Sequence, residues 1–159
     1  MAMAFTMPET FSIVQGGEPA TDAAGRTGDY VSLKHCHKMW CIWHITQGAA
    51  NTVACSFSEA TDVAAIGAQA TTTTNGVWSN LTCGTTGVMT RRADAANYTT
   101  DAAVLHKIVC MQFDPSQFTA TYDCIAGVTG ASNVGNITSF VYYLWARYQQ
   151  DAMPNPIVD

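Results

Sequence analysis

Charge is what this sequence has least of. Asp, Glu, Lys and Arg make up 12% of its 159 residues, roughly half the ~25% of an ordinary soluble domain. It also has no stretch apolar and long enough to cross a bilayer as a helix. A chain this thinly charged must be solvated by Thr, Ser, Asn and backbone, or must finish its surface against other subunits. The longest run of basic residues is Arg91-Arg92, and the formal net charge is −5. Nucleic acid and anionic membrane surfaces are both bound through clustered Lys and Arg, so neither is an expected partner. Protein is.

The recurring signatures of chemistry are missing as well. The sequence contains no Cys-x-x-Cys pair, no His-Glu-x-x-His and no Gly-x-Ser-x-Gly. Gly84-Thr-Thr-Gly87 and Gly127-Val-Thr-Gly130 lack the strand and helix that flank a phosphate loop, so they read as turns. Met1 to Pro8 has no basic residue ahead of a long apolar run, which is unlike a secretory signal and predicts synthesis in the cytoplasm. Asn80, Asn97 and Asn136 open Asn-x-Thr triplets, read as chance matches in a Thr-rich chain. Six cysteines are present; Cys41, Cys55, Cys110 and Cys124 each sit inside an apolar or β-branched run and are expected as reduced, buried thiols.

What is present is period two. From Tyr30 to Ile45, Val31, Leu33, Met39, Cys41, Trp43 and Ile45 share one parity, the pattern of a strand with one buried face. Beyond Lys38 the other parity also turns apolar, at Trp40 and Ile42, which predicts cover on both faces. Thr52–Phe57 is expected to return beside it as a hairpin partner. His106–Phe113 and Phe118–Gly127 are further strands, with shorter candidates near residues 76–80, 88–91 and 96–100. Ile137–Tyr148, almost wholly β-branched or aromatic, predicts a long strand buried on much of both faces. Ser58-Glu-Ala-Thr-Asp62 resembles a capped helix start, so one short helix is expected to run to about Ala70. The sum is a mainly β chain: an antiparallel β-sandwich over residues 30–148, jelly-roll-like. Residues 1–29 are expected to form an N-terminal arm with one short strand near Thr10–Val14 and turns at Gly16-Gly-Glu-Pro19 and Ala24-Gly-Arg-Thr-Gly-Asp29, and residues 149–159 a two-proline tail.

His35-Cys36-His37 is the one cluster of metal-ligand residue types. On a strand, His35 and His37 would share a face with Cβ atoms roughly 7 Å apart, which suits two ligands of a zinc ion. Cys36 points the other way, so further ligands would have to come from elsewhere. The ordinary reading, two polar residues near a strand end, is preferred; no metal, cofactor or catalytic residue is assigned.

Asp29-Tyr-Val-Ser-Leu-Lys-His35, Asp123-Cys-Ile-Ala-Gly-Val-Thr-Gly-Ala-Ser-Asn133, Asn136-Ile-Thr-Ser139 and Ala146-Arg-Tyr-Gln-Gln150 resemble small proteins encoded beside major capsid genes in tailed bacteriophages. The resemblance implies a capsid decoration or cement protein on the virion exterior, assembled in the host cytoplasm, with the major capsid protein and further copies of itself as partners. It transfers no functional residue. A homotrimer is the expected association, with a dimer as the alternative. Apolar anchors on the two ends would make the contacts: Phe5, Met7, Pro8 and Phe11 at one, Met153, Pro154, Pro156, Ile157 and Val158 at the other. A non-enzymatic role is expected. The alternatives are a carbohydrate-binding or host-surface adhesion module using Trp78 or Tyr98, and a zinc enzyme built on His35 and His37.

Overall fold

Alternating apolar residues give strands here, and the strands sort into two antiparallel sheets. The computed structural model describes residues 6–148 and 154–158. After one helical turn, α1 (Met7–Thr10), come β1 (Phe11–Thr21), β2 (Arg26–Thr27), β3 (Val31–Ser32), β4 (Cys36–Gln47), β5 (Ala54–Ala60) and β6 (Gln69–Ala70). The second half adds β7 (Val77–Asn80), β8 (Thr90–Arg91), β9 (Asn97–Thr99), β10 (His106–Phe113), β11 (Cys124–Thr129) and β12 (Asn136–Ala146). Sheet A has the order β1-β12-β4-β10-β7-β8. Sheet B is centred on β11 and β5; β2 and β3 both pair with β11, while β6 and β9 both pair with β5.

Taking β2 with β3 as one interrupted strand, the principal strands alternate between the sheets. β1, β12, β4 and β10 fall on one side, and β2/β3, β11, β5 and β9 on the other. That is the jelly-roll order, two Greek keys wound together. The β-sandwich expected from the sequence is therefore the fold found.

The inward parity of sheet A supplies most of the core. Met39, Cys41, Trp43 and Ile45 of β4, Val109, Met111 and Phe113 of β10, and Phe140, Tyr142 and Leu144 of β12 are all buried. They meet Cys55, Phe57 and Ile125 from sheet B. Trp43 stands 5.6 Å from Phe57, and Phe57 5.6 Å from Phe113, so aromatic rings bridge the layers. Truncating one such ring to Ala costs ~3–5 kcal/mol. One end of the sandwich is closed by polar groups. There the Lys107 ammonium donates to Gln47 Oε1 at 2.9 Å and to Asp101 Oδ1 at 2.6 Å. Nearby, the buried Asp22 carboxylate accepts from the Ser132 and Thr138 hydroxyls at 2.8 and 3.2 Å, and also from Thr129.

The strand expected over Phe118–Gly127 instead runs from Cys124 to Thr129, so Gly127-Val-Thr-Gly130 is mostly strand and not a turn, and four further expectations change. First, no helix starts at Ser58. Ser58, Glu59 and Ala60 belong to β5, and residues 61–68 are turns. The polar groups that looked like a cap are used across the fold: Ser58 Oγ accepts from the Tyr30 hydroxyl, and the Glu59 carboxylate accepts from Gln69 Nε2 and the Thr119 amide. Ala65 and Gly67 then take φ of 65° and 67°, left-handed values that end any helix. The described α-helix is α1 instead.

Second, Tyr30–Ile45 is not one strand. A tight turn, in which the Cys36 amide donates to Leu33 O at 3.1 Å, separates β3 in sheet B from β4 in sheet A. Third, β5 is not the hairpin partner of β4, whose two edges are taken by β12 and β10. It crosses to the opposite layer, where Phe57 can face Trp43. Fourth, much of the N-terminal arm is sheet. The short strand near Thr10–Val14 continues as β1 to Thr21, bulging around Gly17. Gly16 allows this because a Cβ there would lie 2.2 Å from the Tyr142 ring. The glycines that looked like a turn are places where aromatic rings of β12 pass against backbone.

Candidate interaction face

The outward parity of sheet A is unusual in being apolar as well. Strand registers set its side chains in rows across the sheet. Phe11, Trp145 and Lys38 form one row; Ile13, Tyr143, Trp40 and Gln112 the next; Gln15, Val141, Ile42, Cys110 and Trp78 the next. Ser139, His44 and Ile108 follow. Trp40, Ile42, Val141 and Tyr143 are half-buried by their neighbours within the sheet, while Ile13 and Trp145 are 48% and 41% exposed. Among the described residues no second layer covers this face. The sequence pattern had predicted cover on both faces of β4 and β12; the described residues supply a second layer on one.

Ring contacts link side chains across the face. Phe11 meets Trp40 edge-on at 6.0 Å, joining the outermost strand to the third across β12. The His37 ring lies 5.2 Å from the Trp145 ring. The Arg91 guanidinium stacks over Trp78 at 4.6 Å and is also ion-paired to Asp94. No Asp or Glu occurs in β4, β7, β8, β10 or β12; the one carboxylate in the strands of sheet A is Glu18, in the bulged half of β1. Lys38 lies close to Asp114, whose carboxyl is held below its ordinary range, first by hydrogen bonds from Ser116 and more weakly by this lysine. The face is thus mainly aromatic and aliphatic, with Gln15 and Gln112 among its rows, and its two cations each have an acidic neighbour.

The sequence-predicted site residues are scattered around this face. Phe11 is part of it. Met7 and Pro8 are exposed on α1, immediately ahead of β1. Pro154, Pro156, Ile157 and Val158 fold back on their own chain along the open side of the sandwich, where Pro156 O accepts the Ser32 amide at 2.8 Å. With Ser12, His35 and Ala146, that segment encloses a hollow of about 250 Å³. Phe5 and Met153 lie outside the described residues. His35 and His37 do not share a strand: His35 sits in the exposed turn before β4, and His37 is within β4 against Trp145. Among the described residues no group of three or more His, Cys, Asp or Glu side chains is placed to hold a metal ion.

Trp78 and Tyr98, proposed to stack a sugar, are both engaged. Arg91 covers Trp78, and the Tyr98 hydroxyl is 2.9 Å from Ser79 Oγ while its ring packs against the core. Sequence reasoning missed Ile13, Val141 and Tyr143 as interface candidates. The signal was there, in two apolar parities at residues 40–43 and 140–145, but it was assigned to the interior.

No protein-family model matches this chain, and no curated protein sequence does. Among solved structures it is similar to the SPBc2 prophage-derived protein YomS, with 12% identity over 84% of this chain and 92% of that one, at a TM-score of 0.46. A candidate sugar-binding protein from Bacteroides thetaiotaomicron aligns over 87% of this chain and 82% of its own, at 9% identity and a TM-score of 0.31.

Proposed function

We propose that this chain is a non-enzymatic structural subunit of a bacteriophage virion, a decoration or cement protein that binds the major capsid protein lattice and stabilises the head. The observation that carries this reading is the outer face of sheet A, which no second layer covers among the described residues and which marks the chain as a subunit of an assembly. A jelly roll with few charges and a second apolar face is a body whose surface is completed by neighbours. Aromatic enrichment with little charge is also the composition of the centre of a protein–protein contact. The sequence resemblance to proteins encoded beside major capsid genes supplies the setting. The buried titratable groups Asp22, Glu59 and Lys107 are each engaged by partners within the fold, which suits a structural role.

Co-sedimentation tests the proposal. Purified protein should bind heads of its own phage that lack it, saturate at a fixed ratio to the major capsid protein, and raise the temperature at which those heads release DNA. Heads that bind none of it, or that gain no stability from it, would overturn the reading.

A further inference from the structure

We infer that the outer face of sheet A is occupied by a second copy of this chain, packed face to face about a two-fold axis. This rests on the reading of the chain as an assembly subunit and names the partner on its apolar face; contact with the capsid lattice then falls to other parts of the surface.

Three features favour a second copy over a different protein. The first is charge. The two cations at the face already have acidic neighbours in the same chain, Arg91 with Asp94 and Lys38 near Asp114. A partner of opposite charge is therefore not called for, and two such faces can meet without repulsion. The second is shape. Face-to-face sheet packing needs an apolar surface on each side at ~10 Å separation. The inner face of sheet A already packs this way on sheet B, and an isologous pair supplies the same kind of surface twice.

The third is area. Four inter-strand steps from β1 to β7 and three outward residues' spacing along the strands give roughly 20 Å by 20 Å between the outermost Cα positions. With the side chains beyond them, that approaches the ~800 Å² each partner contributes to a standard stable interface. Trp40, Tyr143 and Trp145 are also the residue types that dominate such interfaces energetically. A two-fold axis near Ile42 would place Trp40 and His44, each two residues away along β4, close to the centre of the contact, Tyr143 beside them, and Trp145 towards its rim.

Sedimentation equilibrium and light scattering on the purified full chain test this without any capsid. The expected result is a two-chain species. Ile42→Glu and Tyr143→Glu should each weaken dimerisation by at least ~30-fold, with an unchanged far-ultraviolet circular dichroism spectrum. Should those central variants fail to fold, the double variant Ile13→Ser/Trp145→Ser, at more exposed positions, reads the same contact. Val134→Glu, exposed and away from the face, should leave the dimer intact. A wild-type monomer, a three-chain species, or a dimer unaffected in the folded variants would each overturn the inference. Head binding is measured separately, so a monomer that still decorates heads would remove the pair and leave the proposed function standing.

Discussion

The Tyr142 hydroxyl on β12 accepts the amide hydrogen of Gly127 on β11 at 2.8 Å, so one hydrogen bond ties the two sheets together through the core. Both residues are shaped to this contact. A Cβ on Gly127 would lie 2.8 Å from Cys41 Sγ and 3.2 Å from the Trp43 ring, both completely buried. Gly127→Ala is therefore expected to destabilise the fold by ~1–3 kcal/mol through overpacking. Tyr142→Phe keeps the ring but leaves the Gly127 amide without its acceptor, at a cost of ~1–3 kcal/mol. Urea unfolding of the two variants measures both. Wild-type stability in Tyr142→Phe would mean that this bond contributes nothing net.

A second prediction concerns pH. Lys107 is fully buried, and its ammonium depends on Asp101, Gln47 and the Asp101 carbonyl. The hydrogen bond from Lys107 is the main cause that lowers the Asp101 carboxyl below its ordinary value of 3.8. A depressed carboxyl contributes stability that is complete above its unfolded value and is lost as pH falls through the folded one. The contribution should thus hold at neutral pH and fade below about pH 4. Asp101→Asn should destabilise at pH 7, lose that acid-side slope, and converge towards wild type near pH 2. Because the carboxylate is half-exposed, the effect is modest, about 1 kcal/mol or less. Parallel pH–stability curves for the two proteins would contradict it.

The thiols give a third. Burial pushes Cys36 and Cys110 up to about 11, and Cys41 and Cys55 higher still, chiefly because a thiolate there would be desolvated. Tyr142 moves the same way for the same cause. Thiolate is the reactive form, so these four cysteines should resist alkylation at pH 8 in the native protein and react promptly in denaturant. Mass-mapped iodoacetamide labelling reads this residue by residue. A raised acid also stabilises the folded state only while the unfolded state keeps its proton. Stability should therefore fall as pH rises past about 9, which a thermal melt across the alkaline range would record.

Large apolar residues in strict alternation made the inward faces of β4, β10 and β12 legible from sequence, because period two fixes which way a side chain points. It does not fix which sheet a strand joins. That is why Thr52–Phe57 was expected beside β4 and is found across the core from it. The missing helix has a different cause: Ser58 and Glu59 have capping chemistry, but their partners Tyr30, Gln69 and Thr119 are distant in sequence or on another strand. Gly16 and Gly17 read as a turn because nothing local reveals that Tyr142 and Phe140 will press against them. The outer face was half legible: the apolar residues at 40, 42, 141 and 143 were visible, but not that no second layer among the described residues would cover them.

The fourth prediction follows from how the chain ends. Leu33 donates its amide to the carbonyl of Asp123, the residue just ahead of β11, so the amide of Ser32, one residue earlier, must point to the other side, away from sheet B. A two-residue edge strand has little to protect that group, and Pro156 O is the acceptor it finds. Removing residues 154–159 takes the acceptor away. Hydrogen exchange at Ser32 should then speed up by at least ~10-fold, while amides deep in β4 and β12 keep their protection. If the segment stays on its own chain during assembly, protection of Ser32 should be the same in free and head-bound protein. If it transfers to a neighbour, as an anchoring arm would, free protein diluted to monomer should lose the protection that bound protein retains. Rapid exchange at Ser32 in every state would show that the Pro156 contact is not held in solution, and the terminal segment would then be available to the lattice from the start.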